Sequence, residues 1–159
     1  MQIRRHQLLG IALTSMGALA LEIVLTRIFS VTMRYHFAFL AISLALMGSA
    51  MAGVILYFFP NLTQPEQARR WIGIGALALA ISAPVTLILY LQIPFRLTLD
   101  KGLAPLQILY LALIYLDMTV PFLLSGLVLS LALSAWSKRA GRVYWADLTG
   151  AALGCLFSI

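Results

Sequence analysis

Charged residues are scarce in this sequence, and cysteine is nearly absent. Asp, Glu, Lys and Arg make up only 10% of its 159 residues, and Cys155 is the single cysteine. Soluble domains average about 25% charged residues. One cysteine excludes an intramolecular disulfide and a cysteine-based metal site. The hydrophobic fraction of 62% and the mean hydropathy of +0.99 exclude a soluble domain of this size, because so much apolar surface could not be hidden from water.

Five apolar runs divide the chain, and about 20 apolar residues suffice to cross the hydrocarbon core of a bilayer as a helix. We therefore predict an all-α fold, a multi-pass transmembrane helix bundle that forms one domain over residues 1–159, with no soluble domain. The predicted helices cover residues 8–29, 37–59, 71–91, 106–136 and 144–159. The first four are full spans. The fifth is a truncated segment, because its length gives about 24 Å of helix against a core of ~30 Å.

The Lys and Arg residues predict the orientation of the bundle. They concentrate at the N-terminus and in the second and fourth connections, so the positive-inside rule predicts a cytoplasmic N-terminus. In a soluble protein the net charge of +6 would suggest nucleic acid. Here the basic residues lie between apolar runs, where they orient helices and meet anionic head groups. We expect the lipid bilayer as a partner, together with other membrane protein subunits or a further C-terminal domain, and no nucleic acid.

Acidic residues lie deep inside two of the predicted helices, Glu22 in the first and Asp117 in the fourth. A carboxylate in hydrocarbon is costly unless it is paired or neutralised, so each marks a candidate functional site. Ser15, Ala18 and Thr26 share the helix face of Glu22, which predicts that helix two or helix four shields Glu22 from lipid. The predicted orientation places several ionisable residues in the outer half of the membrane. One buried polar cluster, structural or functional, is therefore predicted from Glu22, Arg27, Arg34, His36 and Asp117.

Pro121 adds to the interest of Asp117. A proline removes the hydrogen bond to the carbonyl four residues earlier, which is the carbonyl of Asp117, so an acceptor is left free beside the carboxylate. Three interpretations of the acids stay open: structural hydrogen bonds to a neighbouring helix, a proton or ion pathway, and contact with a bound partner.

Small residues predict where helices approach closely, and no motif predicts catalysis. The predicted helix-packing residues are Gly48, Ala52, Gly53, Gly150 and Gly154. We find no phosphate-binding glycine loop, nucleophile elbow or catalytic triad. The two histidines are predicted on opposite sides of the membrane. Neither therefore has a second residue nearby with which it could bind a metal ion or haem. We therefore predict no catalytic residue, no cofactor and no metal site.

Two stretches resemble a known family. Residues 19–30 (LALEIVLTRIFS) and 35–40 (YHFAFL) resemble the first hairpin of bacterial membrane proteins known as spermidine synthase-like, and residues 144–154 (YWADLTGAALG) resemble a later signature, Tyr-x-Ala-Asp-Leu-x-Gly-Ala-x-x-Gly. The residues that match these signatures are Glu22, Arg27, Tyr35, His36 and Asp147. The resemblance implies a bacterial inner-membrane location. It also implies a C-terminal domain similar to aminopropyltransferases and methyltransferases, which would bind S-adenosylmethionine or its decarboxylated form; no part of that domain is in this sequence.

Three functions are expected from these features. The first is a non-catalytic membrane module that anchors or scaffolds a catalytic domain or partner, as the resemblance implies. The second is a structural accessory subunit of a larger membrane complex. The third is a small ion or solute transporter that uses Glu22 and Asp117. An enzyme acting alone is not expected.

Overall fold

Five α-helices make up almost all of the structure. The computed structural model describes residues 3–32, 38–92 and 105–158. The helices are α1 (Arg5–Thr32), α2 (Ala38–Phe58), α3 (Pro65–Gln92), α4 (Pro105–Ala135) and α5 (Ala140–Phe157). Short 3-10 segments form the α2–α3 turn (Pro60–Thr63) and the α4–α5 turn (Ser137–Arg139). These residues contain no β-strand, and the predicted all-α helix bundle is confirmed.

Four of the helices are long and apolar enough to cross a membrane. The candidate spans are Arg5–Val31, Phe39–Phe58, Glu66–Gln92 and Ala112–Ala135. Their outer faces carry large apolar side chains, for example Leu46, Leu77 and Leu116, each more than 60% exposed. Surfaces of this kind are satisfied by acyl chains, which are as apolar as leucine. The bundle is therefore that of a membrane protein.

The helices pack as two groups, α1 with α5 and both α2 and α3 with α4. The most extensive contacts join α1 to α5, α2 to α4 and α3 to α4. Of the four spans, α4 is the most enclosed: 44% of its most apolar window is buried, against 17–28% in the others. The α4 helix therefore forms the centre of the bundle, and α5 is held chiefly by α1.

Two apolar clusters fill the interior, one on each side of the middle of the bundle. The larger cluster contains residues of α1, α2, α3 and α4. Within it, Phe29 and Tyr90 meet edge to face with their ring centroids 5.7 Å apart. Its buried members are Leu21, Leu25, Phe29, Ala41, Leu44, Tyr90, Ile114, Met118 and Phe122. The second joins α1, α4 and α5 near the α4–α5 turn, and its buried members are Ile3, Ile11, Ala132, Trp136, Val143 and Ala146.

Three helices begin at least three residues earlier than their hydrophobic runs predict. The α1 helix begins at Arg5, α3 at Pro65 and α5 at Ala140, whereas the runs predict residues 8, 71 and 144. Proline suits the first position of a helix, because the missing N–H has no intrahelical acceptor there. Glu66 in the first turn of α3 adds a favourable interaction with the helix dipole. Each helix therefore gains about one polar turn outside its apolar run.

Candidate functional site

The α1 and α5 helices touch backbone to backbone at two glycines. A Cβ atom on Gly150 would lie 2.6 Å from the carbonyl carbon of Ala12, and one on Gly154 would lie 3.1 Å from the carbonyl carbon of Met16. Only glycine permits this approach, since real Cβ atoms do not come so near to backbone. Because Gly150 faces Ala12 and Gly154 faces Met16, the two helices run in the same direction. The predicted GxxxG face of α5 therefore lies on α1 of the same chain.

The predicted packing residues of α2 divide between two faces. A Cβ on Gly48 would lie 2.7 Å from the backbone nitrogen of Leu123 in α4, and Ala52 is fully buried beside Gly126. Gly53 is exposed, and a Cβ there would meet nothing within 4 Å. Gly53 therefore packs against no other helix of the described bundle, because five residues turn it about 140° away from Gly48.

Beside the glycine contact lies a small polar cavity, which we call the acidic cavity. Its volume is about 150 Å³, and α1, α2, α4 and α5 all contribute to its walls. Two carboxylates and three hydroxyls line it in an otherwise apolar bundle. The lining residues are Ser15, Ala18, Leu19, Glu22, Ala45, Ser49, Phe122, Ser125, Asp147 and Ala151.

One of the two carboxylates joins α5 to α1. The buried Ser15 hydroxyl donates to Oδ1 of Asp147 across 2.5 Å, and the same hydroxyl oxygen lies 3.1 Å from the carbonyl oxygen of Ile11. The short distance is typical of a hydroxyl that donates to a carboxylate. Asp147 lies three residues before Gly150 and seven before Gly154, so all three share one face of α5. The hydrogen bond and the glycine contacts therefore belong to a single interface.

The other carboxylate is Glu22, which lies where its small and polar helix face predicts. Ser15 and Ala18 of that face line the acidic cavity with it, and α2 and α4 contribute Ala45, Ser49, Phe122 and Ser125 to its walls. The Thr26 hydroxyl is occupied within α1, since it donates to the Glu22 backbone carbonyl at 2.8 Å. Glu22 thus faces protein groups from three other helices.

Asp117 lies in a different part of the bundle and does not line the acidic cavity. The buried Thr86 hydroxyl of α3 donates to the Asp117 backbone carbonyl at 3.4 Å. This is the carbonyl that Pro121 leaves without its helical partner. The arrangement favours the structural interpretation of Asp117, in which a neighbouring helix satisfies the groups that proline frees.

The predicted single cluster of ionisable residues is therefore not assembled in the described part of the chain. Arg27 is exposed on α1, and Arg34 and His36 lie outside the described residues. The residue that accompanies Glu22 is Asp147, which the sequence singled out only through its resemblance to the family signature. A usable signal was present, because Asp147, Gly150 and Gly154 have the spacing of one helix face.

The described residues bring together no recognisable metal site. Within residues 3–32, 38–92 and 105–158, no group of three or more His, Cys, Asp or Glu side chains is placed to hold a metal ion. Comparison of the chain with protein-family models, with curated proteins and with solved structures finds no match. The function of the chain must therefore be inferred from the geometry of the acidic cavity and of the α1–α5 interface.

Proposed function

We propose that this chain is a non-catalytic, membrane-embedded helical module that anchors and scaffolds a catalytic domain or partner protein, like the membrane region of spermidine synthase-like proteins. One observation carries the proposal. The two stretches that resemble the family are far apart in sequence, yet they meet at the acidic cavity. Leu19 and Glu22 come from the first stretch, and Asp147 and Ala151 come from the second.

The residues of the second stretch have packing roles. Asp147 accepts the Ser15 hydrogen bond, and Gly150 and Gly154 bring the α5 backbone onto α1. A sequence pattern whose distinctive residues all serve helix association is typical of a structural module. This supports a role in which the bundle holds its own shape and presents an apolar exterior to lipid and to partners.

The size of the acidic cavity also supports a non-catalytic role. Pockets for small organic ligands usually occupy roughly 300–1,000 Å³, and this cavity offers about 150 Å³. The cavity is smaller than the pockets that usually enclose a nucleotide. A few water molecules, each with a share of about 30 Å³, would fit and could hydrogen-bond to the hydroxyls and carboxylates.

Purification of the tagged chain from a bacterial membrane in mild detergent, followed by native mass measurement, tests the proposal. We expect a stoichiometric complex with a protein that carries a soluble domain. A complex with membrane subunits alone would support the accessory-subunit alternative, and a natural full-length protein that is monomeric and carries no soluble domain would contradict both. Gly150→Leu should release the partner because it separates α5 from α1. Gly53→Leu is the matched control, because Gly53 has open space around it.

A proton or small-cation pathway is a second candidate, favoured by the two carboxylates in one membrane cavity. In this form of the transporter hypothesis Asp147 takes the place of Asp117 as the companion of Glu22. Dye-loaded liposomes that contain the purified chain provide the test. Glu22→Gln and Asp147→Asn should abolish a proton flux that Asp117→Asn leaves intact. Absence of flux in the unmodified chain, or equal loss in all three variants, would refute this candidate.

A further inference from the structure

A second cavity opens between the beginning of α1, the beginning of α3 and the end of α4, and we call it the α1–α3 cavity. Its volume is about 260 Å³. His6 and Gln7 line it from α1, Arg69 and Gly73 from α3, and Trp136 from the end of α4. It shares no lining residue with the acidic cavity. The helix-packing scheme gives it no role.

Trp136 gives this cavity an unsatisfied hydrogen-bond donor. The side chain is only 4% exposed, and its Nε1–H has no acceptor. Among the described residues it is the one buried side-chain nitrogen or oxygen atom without a partner. Buried donors are almost always paired, so an orphan of this kind calls for an acceptor that the protein does not itself supply. A tryptophan indole can only donate, which points to a ligand with oxygen acceptors.

The electrostatics of this end of the bundle favour an anionic acceptor. Arg69 lines the cavity, and α1 and α3 begin here with their positive dipole ends, whereas α4 ends here with its negative one. The other basic residues at this end are Arg4, Arg5, Arg70, Lys138, Arg139 and Arg142, and the acidic residue is Glu66. The surroundings therefore carry a large excess of positive charge.

An apolar groove continues from the cavity along α1 and α3 toward the middle of the bundle. The groove has a volume of about 340 Å³ and shares Gly10, Thr14 and Ala76 with the cavity. Small residues keep it open: a Cβ on Gly10 or Gly17 would meet nothing within 4 Å. An acyl chain suits a groove lined by glycine, alanine and leucine that runs along two membrane-spanning helices.

We propose that the α1–α3 cavity and its groove form a binding site for an anionic phospholipid. The phosphate accepts hydrogen bonds from the Arg69 guanidinium and, after a small shift of the indole that brings its covered Nε1–H to the cavity wall, from Trp136. One acyl chain lies in the groove between α1 and α3. Arginine and a desolvated indole donor are both suited to phosphate oxygens. The continuity of the polar cavity with the apolar groove matches the head and tail of one lipid molecule. The site is independent of the proposed scaffold function.

Native mass measurement of the purified full chain with defined lipids tests the proposal. Phosphatidylglycerol and phosphatidylcholine with identical acyl chains are added at equal concentration, so that only the headgroup differs. We expect retention of one phosphatidylglycerol molecule. Arg69→Gln and Trp136→Phe should each weaken its binding at least about tenfold, since each removes one donor to a charged group. Arg142→Gln is the matched control, because it removes the same charge at the same end of the bundle outside the cavity.

Two further experiments test which part of the ligand is bound. One distinguishes a lipid from soluble phosphate, and the other tests the contribution of the acyl chain separately from that of the headgroup. Gly17→Leu fills the groove and should lower lipid retention, whereas Gly53→Leu on α2 should not. Inorganic phosphate at millimolar concentration should fail to displace phosphatidylglycerol; full displacement would identify a site for soluble phosphate and overturn the proposal. Equal retention of the two lipids, or equal weakening by Arg69→Gln and Arg142→Gln, would also overturn it.

Discussion

Replacement of Gly150 by alanine should force α5 away from α1. The added Cβ would lie 2.6 Å from the carbonyl carbon and 2.7 Å from the Cα atom of Ala12. Favourable carbon–carbon contacts are about 3.5–4.0 Å, so the backbones must separate by roughly 1 Å. A gap of that size forfeits between a quarter and a half of the dispersion energy of each affected atom pair. It also stretches the hydrogen bond from Ser15 to Asp147, which spans the same interface.

The loss in the free energy of unfolding caused by Gly150→Ala is best obtained by comparison with Gly53→Ala. Both variants gain the helix propensity of alanine, up to about 1 kcal/mol, and this gain cancels in the comparison. Only Gly150→Ala meets backbone atoms, because a Cβ on Gly53 has nothing within 4 Å. Overpacking of a tight contact costs about 1–3 kcal/mol. The free energies of unfolding of the two variants should differ by that amount, with Gly150→Ala the less stable.

Thermal unfolding in one detergent, followed by tryptophan fluorescence, measures the difference. At about 2–4 °C for each kcal/mol, the Tm of Gly150→Ala should lie roughly 2–12 °C below that of Gly53→Ala. Trp145 on α5 reports on the helix that moves. If the two Tm values agree, or if Gly150→Ala is the more stable variant, then the backbones of α1 and α5 do not touch at Gly150 and the argument for their interface fails.

Three further predictions concern the polar contacts and the orientation. Ser15→Ala should lower the free energy of unfolding by about 1.5–3 kcal/mol, because Asp147 loses a hydrogen-bond donor. Ser43→Ala, at an exposed position on α2, should change it little. Equal effects of the two variants in a chemical denaturation assay would contradict the contact between Ser15 and Asp147. Thr86→Val should cost about 0.5–1.5 kcal/mol, and less in a Pro121→Ala background, where the restored backbone N–H satisfies the same carbonyl; an additive double-mutant cycle would disprove this coupling. Reporter enzymes inserted in the α2–α3 turn and in the α4–α5 turn should be active on the cytoplasmic side, and one inserted between α3 and α4 on the outer side; the opposite pattern would reverse the predicted orientation.

Hydropathy predicts the number and class of the helices well, but it misplaces their beginnings. The apolar run of the third helix predicts a beginning at residue 71, and α3 begins at Pro65. Hydropathy records where a helix enters hydrocarbon. The backbone becomes helical earlier, where Pro65 has a suitable φ and Glu66 interacts with the helix dipole. Proline and acidic residues before an apolar run would have corrected the boundary.

The helix face on which Glu22 lies can be predicted from α1 alone, whereas the nearness of Asp147 to Glu22 depends on how α1 and α5 pack together. The face that Glu22 shares with Ser15 and Ala18 is visible in the sequence, because residues on one helix face repeat every three to four positions. The nearness of Asp147 arises from the parallel contact between α1 and α5, which local sequence does not encode. Asp117 is the more obvious candidate in the sequence because it lies deeper in its apolar run. The hydroxyl of Thr86, on another helix, donates instead to the Asp117 backbone carbonyl.

The parallel pairing of α1 with α5 has a consequence for biosynthesis. Roughly 100 residues separate the end of α1 from the beginning of α5, and ribosomes add about 5–20 residues per second. The surface of α1 that later receives α5 is therefore without its partner for roughly 5–20 s after α1 emerges. During that interval the Ser15 hydroxyl faces the insertion machinery or lipid, and Asp147 has not yet been synthesised. Slow translation between α2 and α4 would prolong this exposure.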